Sequence, residues 1–131
     1  MNIDKTIPVI TIRQPWASSI IHGGKDIENR TWITKYRGPI YIQSSASIRM
    51  AEMVGWQNFV RERKIKFPMS FLHEDVEDFP TGGILGIADL VDCVSSHTSP
   101  WFEGPYGFVL KNPRPVPFYP LKGALGIFRI K

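Results

Sequence analysis

Apolar and polar positions change their period several times along the chain. Ile7 to Arg13 (IPVITIR) is rich in β-branched residues and predicts a first strand. Pro15 then stands where a first helical position belongs. Trp16 with Ile20, and Ala17 with Ile21, recur at helical spacing and define one apolar face. Gly23-Gly24 stops that helix, because glycine takes a left-handed terminal conformation at little cost. So short a helix cannot stand alone in water and must pack on a sheet. Asp26 to Trp32 predicts a strand that carries Glu28, Arg30 and Trp32 on one face. Gly38-Pro39 opens another strand, Ile40 to Ser44. Ser47 is the expected N-cap of a longer helix reaching about Arg63, with Ile48, Met50, Ala51, Val54, Gly55 and Trp56 as its buried side. Lys66 to Phe79 is ambiguous, and its acidic run from His73 to Asp78 reads as a solvated loop. Pro80-Thr81-Gly82-Gly83 marks a turn. Ile84 to Val94 is the strongest strand, with Gly86 a candidate bulge. Tyr106 to Lys111 and Ala124 to Ile130 predict further strands, separated by the proline-rich stretch Asn112 to Pro120. Short strands with two helices predict a small, highly curved β-sheet or barrel with helices against its openings.

Composition narrows this picture more than it changes it. A chain of 131 residues, with no internal repeat and no low-complexity linker, is read as one domain over 1–131. Hydrophobic residues at 43% and charged residues at 21% exclude wholesale disorder. The net charge of +4 permits a polyanionic partner without requiring one. The single cysteine, Cys93, allows no intrachain disulfide and sits in an apolar run as a small core residue. A reducing, cytoplasmic setting is therefore expected. No stretch approaches the ~18 apolar residues of a membrane span, and the first residues lack the core of a secretory signal.

Chemistry-bearing residues gather between Gln14 and Trp32 (QPWASSIIHGGKDIENRTW). Lys25 follows the two glycines at the hinge, where it could meet a phosphate or a polar substrate group. Glu28 beside Arg30 forms an oriented carboxylate–guanidinium pair, and Trp32 on the same face could stack a base or another flat ring. The same residues also fit an ordinary surface ion pair beside a core tryptophan. A second cluster, Ser95 to Phe108, places Trp101, Phe102 and Tyr106 in a turn-rich stretch together with Glu103. These aromatics are either a ligand platform or an apolar plug over the barrel end. Lys122-Gly123 forms a third, weaker cluster. His22, His73, His97 and Cys93 lack metal-site spacing, so no metal is expected. The GxSxG, GxxxxGK[ST] and GxGxxG motifs are absent, and no cofactor is expected.

Four segments in order carry a resemblance. QPWAS with GGK followed by Glu28, Arg30 and Trp32, then YRGPIYIQSSA from Tyr36 (which includes Ser45), FPTGGILGIADLVDCV from Phe79, and KNPRPVPFYPLKG from Lys111 together resemble the ASCH (activating signal cointegrator homology) domain. The similarity spans nearly the whole chain and looks nearest to the cointegrator-like branch and small stand-alone bacterial members. It implies an α+β, PUA-like fold: a small mixed β-barrel with two or three helices packed around it. It also implies binding of RNA or another single-stranded nucleic acid, with a cleft that admits a nucleotide or base. On that reading Gln14, Trp16, Lys25, Glu28, Arg30, Trp32, Arg37, Ser45, Trp101, Tyr106 and Lys122 are the expected binding residues. Another ASCH branch consists of amidohydrolases acting on acetylated cytidine. Lys25 matches that branch's lysine, but Glu28 stands at the position of its threonine, and a carboxylate cannot act as the hydroxyl nucleophile. An enzyme of this kind, acting on a nucleoside-like small molecule or on RNA, would use Lys25 and Glu28, with Glu103 as a further acid. A protein-interaction module in transcription coactivation, docking through the Trp101 loop, is the third expectation.

Overall fold

The computed structural model describes residues 3–72 and 78–131. The strands are β1 (Val9–Ile12), β2 (Ile27–Arg30), β3 (Gly38–Ser44), β4 (Gly83–Val94), β5 (Tyr106–Pro120) and β6 (Ile127–Phe128). The helices are α1 (Trp16–His22), α2 (Met50–Glu62) and the short α3 (Met69–Leu72). All six strands form one mixed sheet in the order β2-β5-β4-β3-β1-β6. The β1–β3 pair is parallel and the other pairs are antiparallel.

The sheet curls into a half-barrel. In a flat sheet β2 and β1, four positions apart, would be separated by roughly 19 Å. Yet Nη2 of Arg30 in β2 donates to the carbonyl of Thr11 in β1 at 3.0 Å, which requires the sheet to bend round. This is the α+β small-barrel architecture that the strand pattern and the PUA-like resemblance imply. Strand alternation sorts the core into layers. Ile40 and Ile42 face inward with Ile10, Ile12, Leu90 and Phe108, where α1 adds Ala17, Ile20 and Ile21. Tyr41 faces the opposite side with Val9, Ile84 and Ile87. Helix α1 reaches the sheet because Gly86 has no side chain: a Cβ there would lie 2.4 Å from the Ile21 Cδ1. The register shift between Ile84 and Gly86 places a bulge beside this contact, as the glycine suggested.

Several boundaries differ from expectation. The proline-rich segment does not separate two strands but continues β5 through Pro120. Pro113, Pro115 and Pro117 alternate, so their nitrogens share one edge of the strand. The pairing of β5 with β2 ends at Val109, with one further bond from the Leu110 amide to the Asp26 carbonyl, leaving the outer edge beyond it free of ladder bonds to β2. Asn112, at φ 52°, lies where the pairing with β4 shifts register. The last strand shrinks from Ala124–Ile130 to Ile127–Phe128. Helix α2 starts at Met50 with Arg49 rather than Ser47 at its cap. Its inward stripe is also rotated. Trp56 is buried, with Phe59 and Val60 packed on neighbouring clusters. Met50 is 72% and Val54 45% exposed, and Ala51 and Gly55 are exposed too. The segment had apolar residues on both faces, and the aromatic face took the core. Phe71 and Phe79 close over Trp56 in a small aromatic cluster. The expected acidic loop falls, at 73–77, outside the described residues. Among the described residues, no helix is long and apolar enough to cross a membrane.

Candidate functional site

The turn after α1 sets the site. The amides of Gly23 and Lys25 both donate to the Ser19 carbonyl, at 3.0 and 2.9 Å. Gly24 between them takes φ +82°, a conformation that side-chain-bearing residues seldom adopt. The left-handed residue is thus Gly24, while Gly23 caps α1 at φ −107°. This reversal turns Lys25 inward, leaving it 3% exposed.

Lys25 does not stand open to solvent as its place at the hinge suggested. Its Nζ donates to the Ile27 carbonyl and lies 3.1 Å from Glu28 Oε1. It also sits 5.7 Å from the ring centroids of both Trp16 and Trp101. Two indole faces and one carboxylate therefore hold the ammonium. Glu28, itself 6% exposed, accepts from Arg30 through its other oxygen. Arg30 in turn donates to the Thr11 carbonyl, so one polar chain runs from the turn after α1 across β2 to β1. Being two residues apart on β2, Glu28 and Arg30 share a face. Trp32 lies beyond the strand end, half-buried, with its ring edge-on to Phe108 at 5.1 Å.

These residues border a cleft of about 780 Å³, a volume in the range of small-molecule pockets. Thr11, Ile12 and Arg13 of β1 and its end form one wall. Trp16, Lys25, Glu28, Asn29, Arg30 and Trp32 form another, and Ser45, Glu52, Glu103 and Gly123–Gly126 complete the lining. Of the residues singled out from sequence, Trp16, Lys25, Glu28, Arg30, Trp32, Ser45 and Glu103 therefore meet in one cavity. The others do not line it. Gln14 is fully buried and works structurally, donating to Ser18 Oγ and to the Pro80 carbonyl, both at 2.8 Å. Trp101, 4% exposed, is stacked on Phe59 and joins a core cluster with Ile27 and Val109. Arg37 donates to the Thr34 and Tyr36 carbonyls and faces Asp92 at 3.7 Å. Tyr106 opens β5 opposite Arg30. Lys122 is exposed beside Gly123.

The loop holding Trp101 is pinned at many points. Asn29 donates to the Trp101 carbonyl and accepts from the amides of Glu103 and Gly104. Ser99 donates to Asp26 at 2.5 Å, and Arg63 reaches the carbonyls of Pro100 and Phe102. These bonds set Glu103 at the rim. Sequence reasoning missed Arg13, Asn29 and Glu52. Glu52, on α2, accepts from Arg13 at 2.6 Å and from Trp16 Nε1 at 3.1 Å, tying two elements far apart in sequence. Nothing local marks it. Among the described residues, no group of His, Cys, Asp and Glu could hold a metal ion.

The ASCH domain family model matches residues 10–115, a span that holds the whole Lys25–Glu28–Arg30 chain. The protein is 30% identical over 134 aligned positions to Activating signal cointegrator 1 of Homo sapiens, and 28% identical to the protein of that name in Mus musculus. Each alignment covers 92% of this chain but 22% of the relative, so the chain spans about a fifth of the length of these relatives. With the family's model covering most of its length and every charged residue of the cleft lining inside that span, the chain belongs to the ASCH domain family.

Proposed function

We propose that this protein is a nucleic-acid-binding ASCH domain that prefers single strands, RNA above all, and that its cleft admits one unstacked nucleotide. The observation that carries this reading is the convergence of Lys25, Glu28 and Arg30 with the half-buried indoles of Trp16 and Trp32 around one cavity. A base brought into such a cleft gains ring contact and fixed polar groups without the protein having to reorganise. Membership of the family and likeness to cointegrator proteins agree with a nucleic-acid-binding or coactivator role. Trp101 serves in this reading as a support for Lys25 rather than as a stacking platform.

The hydrolase reading asks Lys25 and Glu28 to move protons. Both oxygens of Glu28 are engaged by cations, and the Lys25 ammonium is enclosed, so binding fits their partners better than acid–base work. The protein-docking reading through the Trp101 loop loses its main residue, since Trp101 is buried. The test is fluorescence anisotropy with labelled single-stranded RNA, single-stranded DNA and duplex DNA of matched length. Tighter binding of the single strands than of the duplex is expected, weakening steeply as salt rises. No binding of any of them at low salt would end this reading.

A further inference from the structure

The charges that line the cleft cancel. Its cations are Arg13, Lys25 and Arg30, and its acids are Glu28, Glu52 and Glu103. Every lining cation is held by a lining acid: Arg13 by Glu52, and Lys25 and Arg30 by Glu28. Glu103 has no side-chain partner among the described residues, nor does the Ser45 hydroxyl. A phosphate placed here would meet the unpaired Glu103 carboxylate among the lining residues and would have to compete with a carboxylate for every cation, of which Lys25 is buried and Arg13 and Arg30 are partly exposed. Removing one member of a buried pair is costly. The cleft is therefore a poor phosphate site despite its three basic residues. Glu103 offers hydrogen-bond acceptance and the Ser45 hydroxyl both acceptance and donation, which suits a flat ring bearing an amine.

Three basic residues without ion pairs among the described residues lie close in sequence to lining residues. Lys35 is exposed three residues after Trp32, Arg49 three residues before Glu52, and Lys122 adjoins Gly123. None of the three has an ion pair among the described residues. Each leaves the chain within about 11 Å of a lining residue along the backbone, and the three come from different loops.

We propose that the cleft is a socket for an uncharged, amine-bearing base, and that the phosphates flanking this base are held outside it by Lys35, Arg49 and Lys122. The proposal rests on the nucleic-acid reading above and adds a division of labour: ring recognition inside a charge-balanced cleft, backbone recognition on its cationic rim. Because the rim residues are exposed and unpaired, their loss should leave folding intact.

The test compares the wild-type protein with Lys35→Ala/Arg49→Ala/Lys122→Ala, using a mixed-sequence single-stranded RNA over a salt series. The control is Lys5→Ala/Lys64→Ala/Lys111→Ala, which removes the same charge from exposed positions outside the cleft lining. Neutralised phosphates contribute about 0.7 each to the salt slope on single strands. The rim variant should lower the slope by about two and weaken low-salt binding on the order of tenfold, while the control shifts the slope by less than one. An unchanged slope in the rim variant, with the wild type still binding, would overturn the division of labour and leave the nucleic-acid reading standing. Equal losses in the two variants would show that only total charge matters and would also overturn it. Failure of the wild-type protein to bind at all would remove the underlying reading itself.

Discussion

Lys25, Glu28 and Arg30 show how little of a site lies in its residue types. All three stand out in the sequence, as does the face shared by Glu28 and Arg30. The inward turn of Lys25 does not, because it follows from φ +82° at Gly24 and from the tertiary partners Trp16 and Trp101. Burial makes the pair interdependent. Glu28→Gln leaves the Lys25 ammonium without its anion in a site 3% exposed, and the expected loss of stability is about 3–5 kcal/mol, read as a lowered urea midpoint. The double change Lys25→Met/Glu28→Met removes both charges together and should recover part of that loss, since Arg30 can still reach water. A double variant no more stable than Glu28→Gln alone would show that the pair is not the source of the effect. Arg13 and Glu52, by contrast, were invisible in the sequence. They lie 39 positions apart and meet only because the fold brings the first turn of α2 to the end of β1.

The elements were legible wherever one face dominated. Helix α1, β3 and β4 fall close to their expected positions, since their apolar periodicity and the flanking glycines agree. In the α2 segment the expected inward side holds for Ile48 and Trp56, while Met50, Ala51 and Val54 give way to Phe59 and Val60. Only packing against Phe67 and Phe71 decides between the two faces. Strand β5 was cut short because prolines normally end strands, whereas a free edge tolerates them. Two glycine substitutions separate conformation from space. Gly24→Ala meets no atom within 4 Å but must hold φ +82°, and should cost roughly 1–2 kcal/mol. Gly55→Ala also meets open space, inside α2, and should instead stabilise by up to about 1 kcal/mol. Thermal melts of the two proteins should therefore shift in opposite directions. A shift in the same direction would refute the backbone assignment at one of these glycines.

Taken whole, the molecule is a curled sheet whose edge strand β2 is joined by one guanidinium to β1, the strand next to the opposite edge. A net charge of +4 said little about function. The distribution says more: the cleft lining is balanced, and the exposed cations Lys35, Arg49 and Lys122, without ion pairs among the described residues, lie within three positions of lining residues in the chain. Family membership was readable because four motifs keep their order along the chain, but the cavity they build depends on contacts between segments that sequence spacing does not encode. The four tryptophans offer a direct probe of the cleft. Trp16 and Trp32 line it, whereas Trp56 is buried and donates to Ser19 at 2.9 Å, and Trp101 is packed behind Lys25. The measurement is a titration with a short single-stranded RNA, following the four indole N–H signals by two-dimensional NMR. Base entry into the cleft predicts the largest shifts at Trp16 and Trp32, with Trp56 unmoved. RNA that binds while Trp16 and Trp32 stay in place would contradict the account.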